Sequence, residues 1–298
     1  MPVKIGLQMH SVREALIFDP KWTIENVASI GYHFLELSGH DASDDALACF
    51  GIRSKVFQDL SAKFGVRFVG GKVAHLELSN VDDVIGYYAD LGADHITVPI
   101  GYFPTMDAIE ERARTYNLLG ERCARRGLSL YYAHHYHELQ HVSGQVVLDA
   151  LMSKTAPELV GLELNPYWLM RGLVNPVEMF RKYRDRVRMV EQQDFPLEEI
   201  DKLNMWTFSR HHPIARNIRW EVPLKGGEIE NIQPVQCALF TEIGEGIVKV
   251  QEIVDEANAS GKVSYVMLRQ DFTRMSSEFD SIGKSMENYR RVRDIVWV

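Results

Sequence analysis

Eight short runs rich in β-branched and aromatic residues recur along the 298-residue chain, and longer helical patterns separate them. This alternation is typical of βαβ units, which build parallel sheets. The predicted strands are Val3–Gln8, Phe34–Leu37, Val66–Gly70, His95–Val98, Leu128–Tyr132, Val160–Leu164, Val187–Glu191 and Ser264–Leu268. Eight such units predict a closed (β/α)8 TIM barrel, because an open doubly wound sheet would normally have fewer strands and a glycine fingerprint after the first.

Helical periodicity is clearest over residues 106–126 and 247–259, and a glycine follows each segment in the position of a C-terminal cap. Residues 195–236, between the seventh and eighth strands, carry turn residues and tryptophans, which predicts a loop insertion or lid on the active face. The alternative is an insertion that packs its own small core or forms an oligomer contact. We expect residues 1–298 to form one domain, as barrels of this size do.

Composition excludes several classes of function. The chain has 33 lysines and arginines against 41 aspartates and glutamates, with no basic face, so we expect no nucleic-acid partner. No window reaches 18 consecutive apolar residues, and the N-terminus enters a strand without a signal-peptide pattern, so we expect no membrane span and no secretion. The three distant cysteines suit a reducing cytoplasm.

Reactive groups of such a barrel lie at the carboxyl ends of its strands, so polar residues there are the candidates. These are Gln8, His10, Glu36, Ser38, His75, His134, His135, Glu138, Glu163, Asn165, Glu191, Gln193, Arg269 and Asp271. Strand alternation predicts that His135 points inward, where it can move protons, and that His134 points away. The alternative for His135 is a hydrogen-bonded rim residue. We expect the single histidines His33, His40 and His95 on surfaces or between layers, without a role.

Arg269 lies at the end of a predicted barrel strand, where an unpaired guanidinium would be too costly to bury. It therefore needs a carboxylate partner or an anionic substrate. A structural ion pair with Glu163 or Asp271 is the alternative to a role in substrate binding.

Five segments resemble, in order, motifs of the xylose-isomerase-like TIM barrels known as sugar phosphate isomerases/epimerases. The segments are Ile5–Arg13, Gly127–Leu139, Leu162–Trp168, Phe240–Ile247 and Tyr265–Asp271, and the resemblance runs over nearly the whole chain. It implies a barrel that binds a small-molecule sugar and holds one divalent metal, often manganese, with carboxylates and a histidine. In that family the metal polarises the sugar while a glutamate shuttles a proton.

The chain departs from this pattern where the metal should be. Asn165 stands in place of an aspartate, Glu191 in place of a histidine, and Arg269 in place of a glutamate, whereas His135 and Glu138 are kept. A guanidinium has no lone pair to give and repels a cation. With Glu138 and Glu191 negative and Arg269 positive, the net charge of this site without a metal equals the net charge of the family's site with its divalent ion bound.

We therefore expect Arg269 to stand in for the ion, held by Glu191 or Glu138, with no metal and no other cofactor. If this mapping is wrong, manganese or magnesium would be bound by Glu138, Asn165 and Glu191. His211 or His212 from the insertion would then supply the missing nitrogen.

The sequence thus predicts a sugar or keto-sugar isomerase or epimerase that transfers a proton next to a carbonyl. Its predicted catalytic residues are His135, Glu138, Glu191 and Arg269. Its predicted substrate-binding residues are Gln8, His10, Glu36, His75, Asn165, Trp168 and His212. One alternative is a lyase on a 3-oxo sugar, similar to the large subunit of C-glycoside deglycosidases.

The other alternative is a non-catalytic paralogue that binds a sugar or a partner subunit. It predicts that Glu138 and Glu191 both pair with Arg269 and that His135 has no free nitrogen facing the cavity. A homo-oligomer is compatible with the sequence under either reading.

Overall fold

Eight parallel strands close into a barrel in the computed structural model, which describes residues 2–208 and 239–297. They are β1 Val3–Gln8, β2 Phe34–Asp41, β3 Arg67–Ala74, β4 His95–Val98, β5 Ser129–Ala133, β6 Val160–Leu164, β7 Val187–Gln192 and β8 Tyr265–Leu268. Strand β8 pairs with β1, with Tyr265 opposite Lys4, and this pairing closes the ring. The predicted (β/α)8 barrel is confirmed.

Helices cover the outside of the barrel. They are α1 Arg13–Phe18, α2 Pro20–Ile30, α3 Ser54–Phe64, α4 Val81–Asp90, α5 Met106–Arg125, α6 Val147–Lys154, α7 Pro166–Arg171, α8 Pro176–Lys182, α9 Met205–Phe208, α10 Val250–Ser260 and α11 Glu278–Tyr289. Helix α5 begins where Thr105 accepts the N–H of Ala108, and Gly127, just beyond its end, has a positive φ of 75°. The helix predicted over 247–259 begins three residues later, at Val250.

Shorter elements join these units. Turns of 3₁₀ helix cover Met9–Val12, His137–Leu139 and Leu197–Lys202, and two small hairpins pair Ala48–Cys49 with Ile52–Arg53 and His141–Val142 with Gln145–Val146. A last short strand, Ile295–Val296, pairs in parallel with Val3 and Lys4 at the amino-terminal end of β1.

Strand β3 contains a β-bulge. Leu35 of β2 pairs with Phe68, but the next residue, Glu36, pairs with Gly70, so Val69 is an extra residue on the β3 side. A bulge of this kind shifts the inward and outward alternation of the residues that follow it. The strand also runs four residues beyond its predicted end at Gly70.

The shift decides which β3 side chains enter the barrel. Phe68 faces outward against Phe57 of α3, with ring centroids 4.9 Å apart. Gly71 also faces outward, because a Cβ there would collide with Tyr88 of α4. Lys72, the next residue, therefore points into the barrel, whereas uninterrupted alternation from Phe68 would have turned it outward.

The amino-terminal end of the barrel interior is apolar. We call this cluster the lower layer; its buried members are Phe34, Val69, Met189, Tyr265 and Met267. A much larger apolar cluster lies between the outer faces of the strands and the helices. Removal of these surfaces from water is the main force that holds the barrel together.

Most of the predicted insertion over 195–236 lies outside the described residues, and so does His212. Within the described ranges, no helix is long and apolar enough to cross a membrane.

Candidate active site

A cavity of about 300 Å³ opens at the carboxyl ends of the strands, where this fold places its active sites. Its polar lining comes from strands β1, β2, β3 and β8 and the residues just after them. The polar side chains that line it include Gln8, His10, Ser38, Asp41, Lys72 and Arg269. Two cations among so few residues indicate a site for an oxygen-rich or negatively charged group.

Glu191, near the end of β7, is the centre of the buried polar network. Its Oε1 accepts a hydrogen bond from Gln8 Nε2 at 2.9 Å and lies 2.7 Å from Lys72 Nζ and 3.2 Å from Arg269 Nη1. Its Oε2 accepts from Asn165 Nδ2 at 2.9 Å. Burial opposes ionisation, but the charges of Lys72 and Arg269 outweigh it and hold the pKa of Glu191 well below its usual value.

Lys72 was not among the candidates from the sequence. Its Nζ also lies 2.7 Å from Oε1 of Glu163, and its side chain is 5% exposed. Burial disfavours the charged ammonium, but Glu163 and Glu191 together raise the pKa of Lys72 above its usual value. The signal that would have found it is a lysine inside the β-rich run 67–74, which the predicted strand cut short.

Glu163, on β6, differs from Glu191 although both contact Lys72. It is fully buried, and its Oε2 has no hydrogen-bond partner within residues 2–208 and 239–297. Burial raises the pKa of Glu163 to about 8, because the attraction of Lys72 only partly compensates and the neighbouring carboxylates of Glu36 and Glu191 add repulsion. Glu163 is therefore the carboxyl group of the network that most readily holds a proton.

Arg269 is held by two carboxylates. Besides its contact with Glu191, its Nε donates to Asp271 Oδ1 at 2.6 Å. Asp271 in turn accepts from Gln193 Nε2 at 3.0 Å and lies 3.5 Å from His10 Nε2. Burial and then the charge of Arg269 lower the pKa of His10 to about 4, so this histidine is neutral at pH 7. The structure thus brings Arg269 together with Glu191, one of the two carboxylates expected to hold it in place of the ion, and with Asp271, one of the two partners named for a structural ion pair.

Gln8 joins the centre of the network to a second carboxylate. Its Nε2 also donates to Glu36 Oε2 at 2.9 Å, and Glu36 Oε1 lies 3.3 Å from His95 Nε2. The His95 ring stacks on Tyr131 inside the barrel, where the missing side chain of Gly70 leaves room for it. The expectation that His95 lies on a surface or between layers is wrong, because the bulge in β3 opens this interior space.

His135 lies just after β5 with its ring between two aromatic neighbours, His137 at 5.6 Å and Trp168 at 5.3 Å between centroids. Its Nδ1 is buried and has no hydrogen-bond partner in the described part of the chain. Burial, with His137 and Arg269 nearby, lowers the pKa of His135 well below its usual value. His134 points elsewhere, since its Nε2 accepts the N–H of Asn165 at 3.1 Å.

Glu138 does not join the other predicted catalytic residues. Its Oε2 accepts the backbone N–H of His135 at 2.9 Å, and its Oε1 accepts the hydroxyl of Tyr132. Tyr132 packs against Phe103 and Tyr116, on the helix side of β5. The Glu138 carboxylate therefore lies on the helix side of β5, where it holds the loop that contains His135.

The remaining predicted substrate-binding residues have varied surroundings. Asn165 accepts the N–H of Trp168 at 3.1 Å and so caps α7, while its Nδ2 donates to Glu191 and Gln193. Trp168 is largely buried, and its indole nitrogen has no partner among the described residues. His75 lies at the exposed rim, 2.8 Å from Asp41.

The segment that resembles a family motif around residue 244 has a structural explanation. Asp194, just after β7, accepts backbone N–H groups from Phe195, Gly244, Gly246 and Val248 at 2.9 to 3.2 Å. This one carboxylate fixes the loop that leads into α10. Gly246 is required because a Cβ there would collide with Asp194.

The barrel has the fold of the xylose isomerase-like TIM barrels. A sugar phosphate isomerase/epimerase from Parabacteroides distasonis ATCC 8503 superposes with a TM-score of 0.73 at 17% identity, over 99% of this chain and 96% of that one. A probable 3-DHS dehydratase from Bacillus anthracis gives 0.68 at 12% identity, over 98% and 100%. A 3-keto-D-glucoside 4-epimerase from E. coli gives 0.61 at 12% identity, over 97% and 99%. At these identities the likeness shows the fold alone.

No family model matches the sequence. Among curated proteins, an inosose dehydratase 2 from Bacillus cereus is 23% identical over 177 residues, which are 59% of this chain and 52% of that protein. An inosose dehydratase from Clostridium botulinum is 32% identical over 141 residues, 47% of this chain and 40% of that protein. The match thus spans about half the length of these relatives or less.

Proposed function

We propose that this chain is an enzyme that transfers a proton next to the carbonyl of a sugar or keto-sugar, and that it does so without a divalent metal. The observation that carries the proposal is the meeting of two buried cations, Lys72 and Arg269, on Glu191 beside the cavity. Removing a proton next to a carbonyl places negative charge on the oxygen, and fixed cations in a site shielded from water stabilise that charge.

The donor atoms at the matched positions do not suit a divalent ion. Asn165 directs its amide nitrogen at Glu191 and its amide oxygen at the Trp168 N–H, so neither end is free for a cation. Lys72 and Arg269 would repel one. Within residues 2–208 and 239–297, no three histidines, cysteines, aspartates or glutamates are grouped to hold a metal.

His135 is the proposed base. Its imidazole is neutral at pH 7, and its Nδ1 has no partner in the described part of the chain. In the proposed step, the proton on the carbon next to the carbonyl moves to Nδ1, the C–H electron pair forms a carbon–carbon double bond, and the carbonyl electron pair moves to oxygen. Delivery of a proton to the other face of that carbon, by a donor on that face, gives the epimer. If the hydroxyl proton on that carbon first moves to the enolate oxygen, return of the proton from His135 to the former carbonyl carbon gives the isomer.

Dehydration is the second candidate, and the relatives named inosose dehydratase favour it together with the structural neighbour described as a probable 3-DHS dehydratase. It uses the same first step. The enolate then expels the hydroxyl group from the next carbon, which leaves as water after taking up a proton. The lyase on a 3-oxo sugar belongs to the same chemical class, with an aglycone in place of the hydroxyl.

The contacts favour an enzyme over a non-catalytic paralogue. The paralogue would have both Glu138 and Glu191 paired with Arg269, whereas Glu138 hydrogen-bonds to Tyr132 and to the His135 backbone. It would also leave His135 without a free nitrogen.

The test is hydrogen exchange in D₂O, after chelation with EDTA, on a panel of inososes, 3-keto-glucosides and ketohexoses with and without phosphate. We expect one panel member to exchange the proton next to its carbonyl, as followed by NMR, at a rate that added manganese does not change. His135→Asn should abolish the exchange, and His33→Asn, on the exposed surface, is the matched control. Exchange that requires manganese would refute the metal-free mechanism, and no exchange with any panel member would refute the enzyme.

A further inference from the structure

We infer that Lys72 is a catalytic residue that donates a hydrogen bond to the reacting oxygen of the substrate and stabilises its negative charge. This inference rests on the proposed function and extends it, because it assigns the electrophile to a residue that no motif of the sequence indicated.

The ammonium group is held between two carboxyl groups and still lacks a hydrogen-bond partner. Glu163 and Glu191 each place an oxygen 2.7 Å from Nζ, but neither contact has hydrogen-bond geometry. Nζ is buried and has no hydrogen-bond partner in the described residues. Because the Lys72 side chain lines the cavity, we assign the missing acceptor to an oxygen atom of a molecule bound there.

Arg269 is less suited to this role. Its Nε and Nη1 are directed at Asp271 and Glu191, and its side chain is 19% exposed against 5% for Lys72. Charges and dipoles act more strongly where water is excluded, so the more buried cation stabilises an adjacent oxyanion more. We therefore assign Arg269 two tasks: it holds Glu191 in place, and it contacts the part of the substrate that lies nearer to the solvent.

The same contacts argue against a covalent role for the amine. A Schiff base requires a lone pair on nitrogen, and the ion pair with the Glu191 carboxylate keeps the lysine in its ammonium form. Lys72 therefore acts as a hydrogen-bond donor: as the base takes the proton from carbon, the oxygen on which negative charge develops accepts a hydrogen bond from Nζ. No atom of Lys72 is consumed, and the contact is reversed when the carbonyl forms again.

A purely structural lysine would balance the charges of Glu163 and Glu191 and do nothing else. The test separates the two roles with Lys72→Met, Lys72→Arg and the double variant Lys72→Met/Glu163→Gln, in which one carboxylate is neutralised together with the lysine. Lys4→Met is the matched control, because Lys4 lies on β1 at the opposite end of the barrel, over Phe34 and Tyr265.

We expect kcat for proton exchange to fall about 100-fold or more in all three Lys72 variants, with KM changed much less, and to remain unchanged in Lys4→Met. Lys72→Arg keeps the positive charge, and with it the fold, but moves the donor away from the oxygen. Near-normal kcat in either the arginine variant or the folded double variant would overturn the inference.

Reduction with borohydride during turnover is the second measurement. A substrate adduct on Lys72, detected by mass spectrometry, would also overturn the inference, because it would show a covalent Schiff base. The absence of exchange by the unmodified chain would instead refute the proposed function, so the two failures are distinguishable.

Discussion

The two ends of the barrel interior differ sharply although the same strands build both. A step of two residues along a strand leads from the lower layer to the charged network, from Phe34 to Glu36, from Met189 to Glu191 and from Met267 to Arg269. Successive inward positions of a strand are separated by two residues, so each of these three strands contributes side chains to both ends. Side chains that stabilise the fold thus lie at the amino-terminal end of the barrel interior, and side chains that can take part in chemistry lie at its carboxyl-terminal end.

Burial at the two ends also has opposite effects on the free energy of folding. Burial of the lower layer removes apolar surface from water and favours folding. Burial of Glu191, Lys72 and Arg269 is tolerated only because each charge contacts an opposite one. Substitutions in the charged network at the carboxyl ends of the strands should therefore reduce both stability and activity. Substitutions in the lower layer should reduce stability alone.

The largest effect is expected for Glu191→Gln, which leaves two cations without their shared carboxylate. Loss of one partner of a buried ion pair costs about 3–5 kcal/mol, and we expect a decrease of that size in the free energy of unfolding, measured with urea. Exchange activity should be lost as well. Glu77→Gln, which removes the exposed partner of Arg112, is the control and should leave both unchanged. Stability equal to that of the control would show that the network carries no such energy.

A smaller effect is expected for Met189→Ala in the lower layer. Truncation of a buried methionine creates a cavity and costs about 2–5 kcal/mol. Because Met189 lies at the opposite end of the barrel, kcat per folded molecule should stay within about twofold of its original value. Met275→Ala, at an exposed position, should change neither property. A loss of kcat as large as that of Glu191→Gln in folded protein would contradict the separation of the two ends.

The smallest effect is the pH dependence of stability due to Glu163. Its pKa is raised to about 8 in the folded chain, so the folded state binds more protons than the unfolded state between about pH 4.5 and 8. Stability from this group is therefore complete below about pH 4.5, decreases by at most about 1.4 kcal/mol per pH unit as the pH rises from there to about 8, and changes little above 8.

The comparison between the unmodified chain and Glu163→Gln is best made between pH 7 and 8.5. The histidines with lowered pKa, such as His10, no longer titrate there. We expect the unfolding midpoint of the unmodified chain to decrease across this range more than that of the variant. Parallel curves would show that Glu163 is ionised throughout.

The sequence predicted the barrel well because its signals are local. Hydrophobic runs identified all eight strands, and the bounds of β1, β4 and β6 agree with the prediction residue for residue. The cost of burying an arginine gave Asp271 as one of two structural partners of Arg269, and the comparison with the family's metal site gave Glu191 as one of two others; Arg269 contacts both. The barrel itself needs only strand order and the rule that carboxyl ends meet at one side.

The errors come from long-range geometry. Lys72 was missed because the extra residue at Val69 is visible only in the pairing of β3 with β2. Glu138 was expected in the cavity, but its position depends on a turn after β5 that directs it to Tyr132. The expectation that His95 lies on a surface or between layers is wrong for a related reason, because the neighbouring strands determine the space beside Gly70 that the His95 ring occupies.

The bulge at Val69 also has a consequence for how such barrels diverge. Glu36 pairs with Gly70 and not with Val69, so the bulge takes up the extra residue, and the side chains after it keep the facing that they would have in a strand one residue shorter. Loss of one residue there would therefore restore regular alternation and still direct Lys72 into the barrel, whereas loss of the bulge with the residue retained would turn Lys72 toward the helices. A bulge thus lets a strand gain a residue without changing which side chains reach the reacting end.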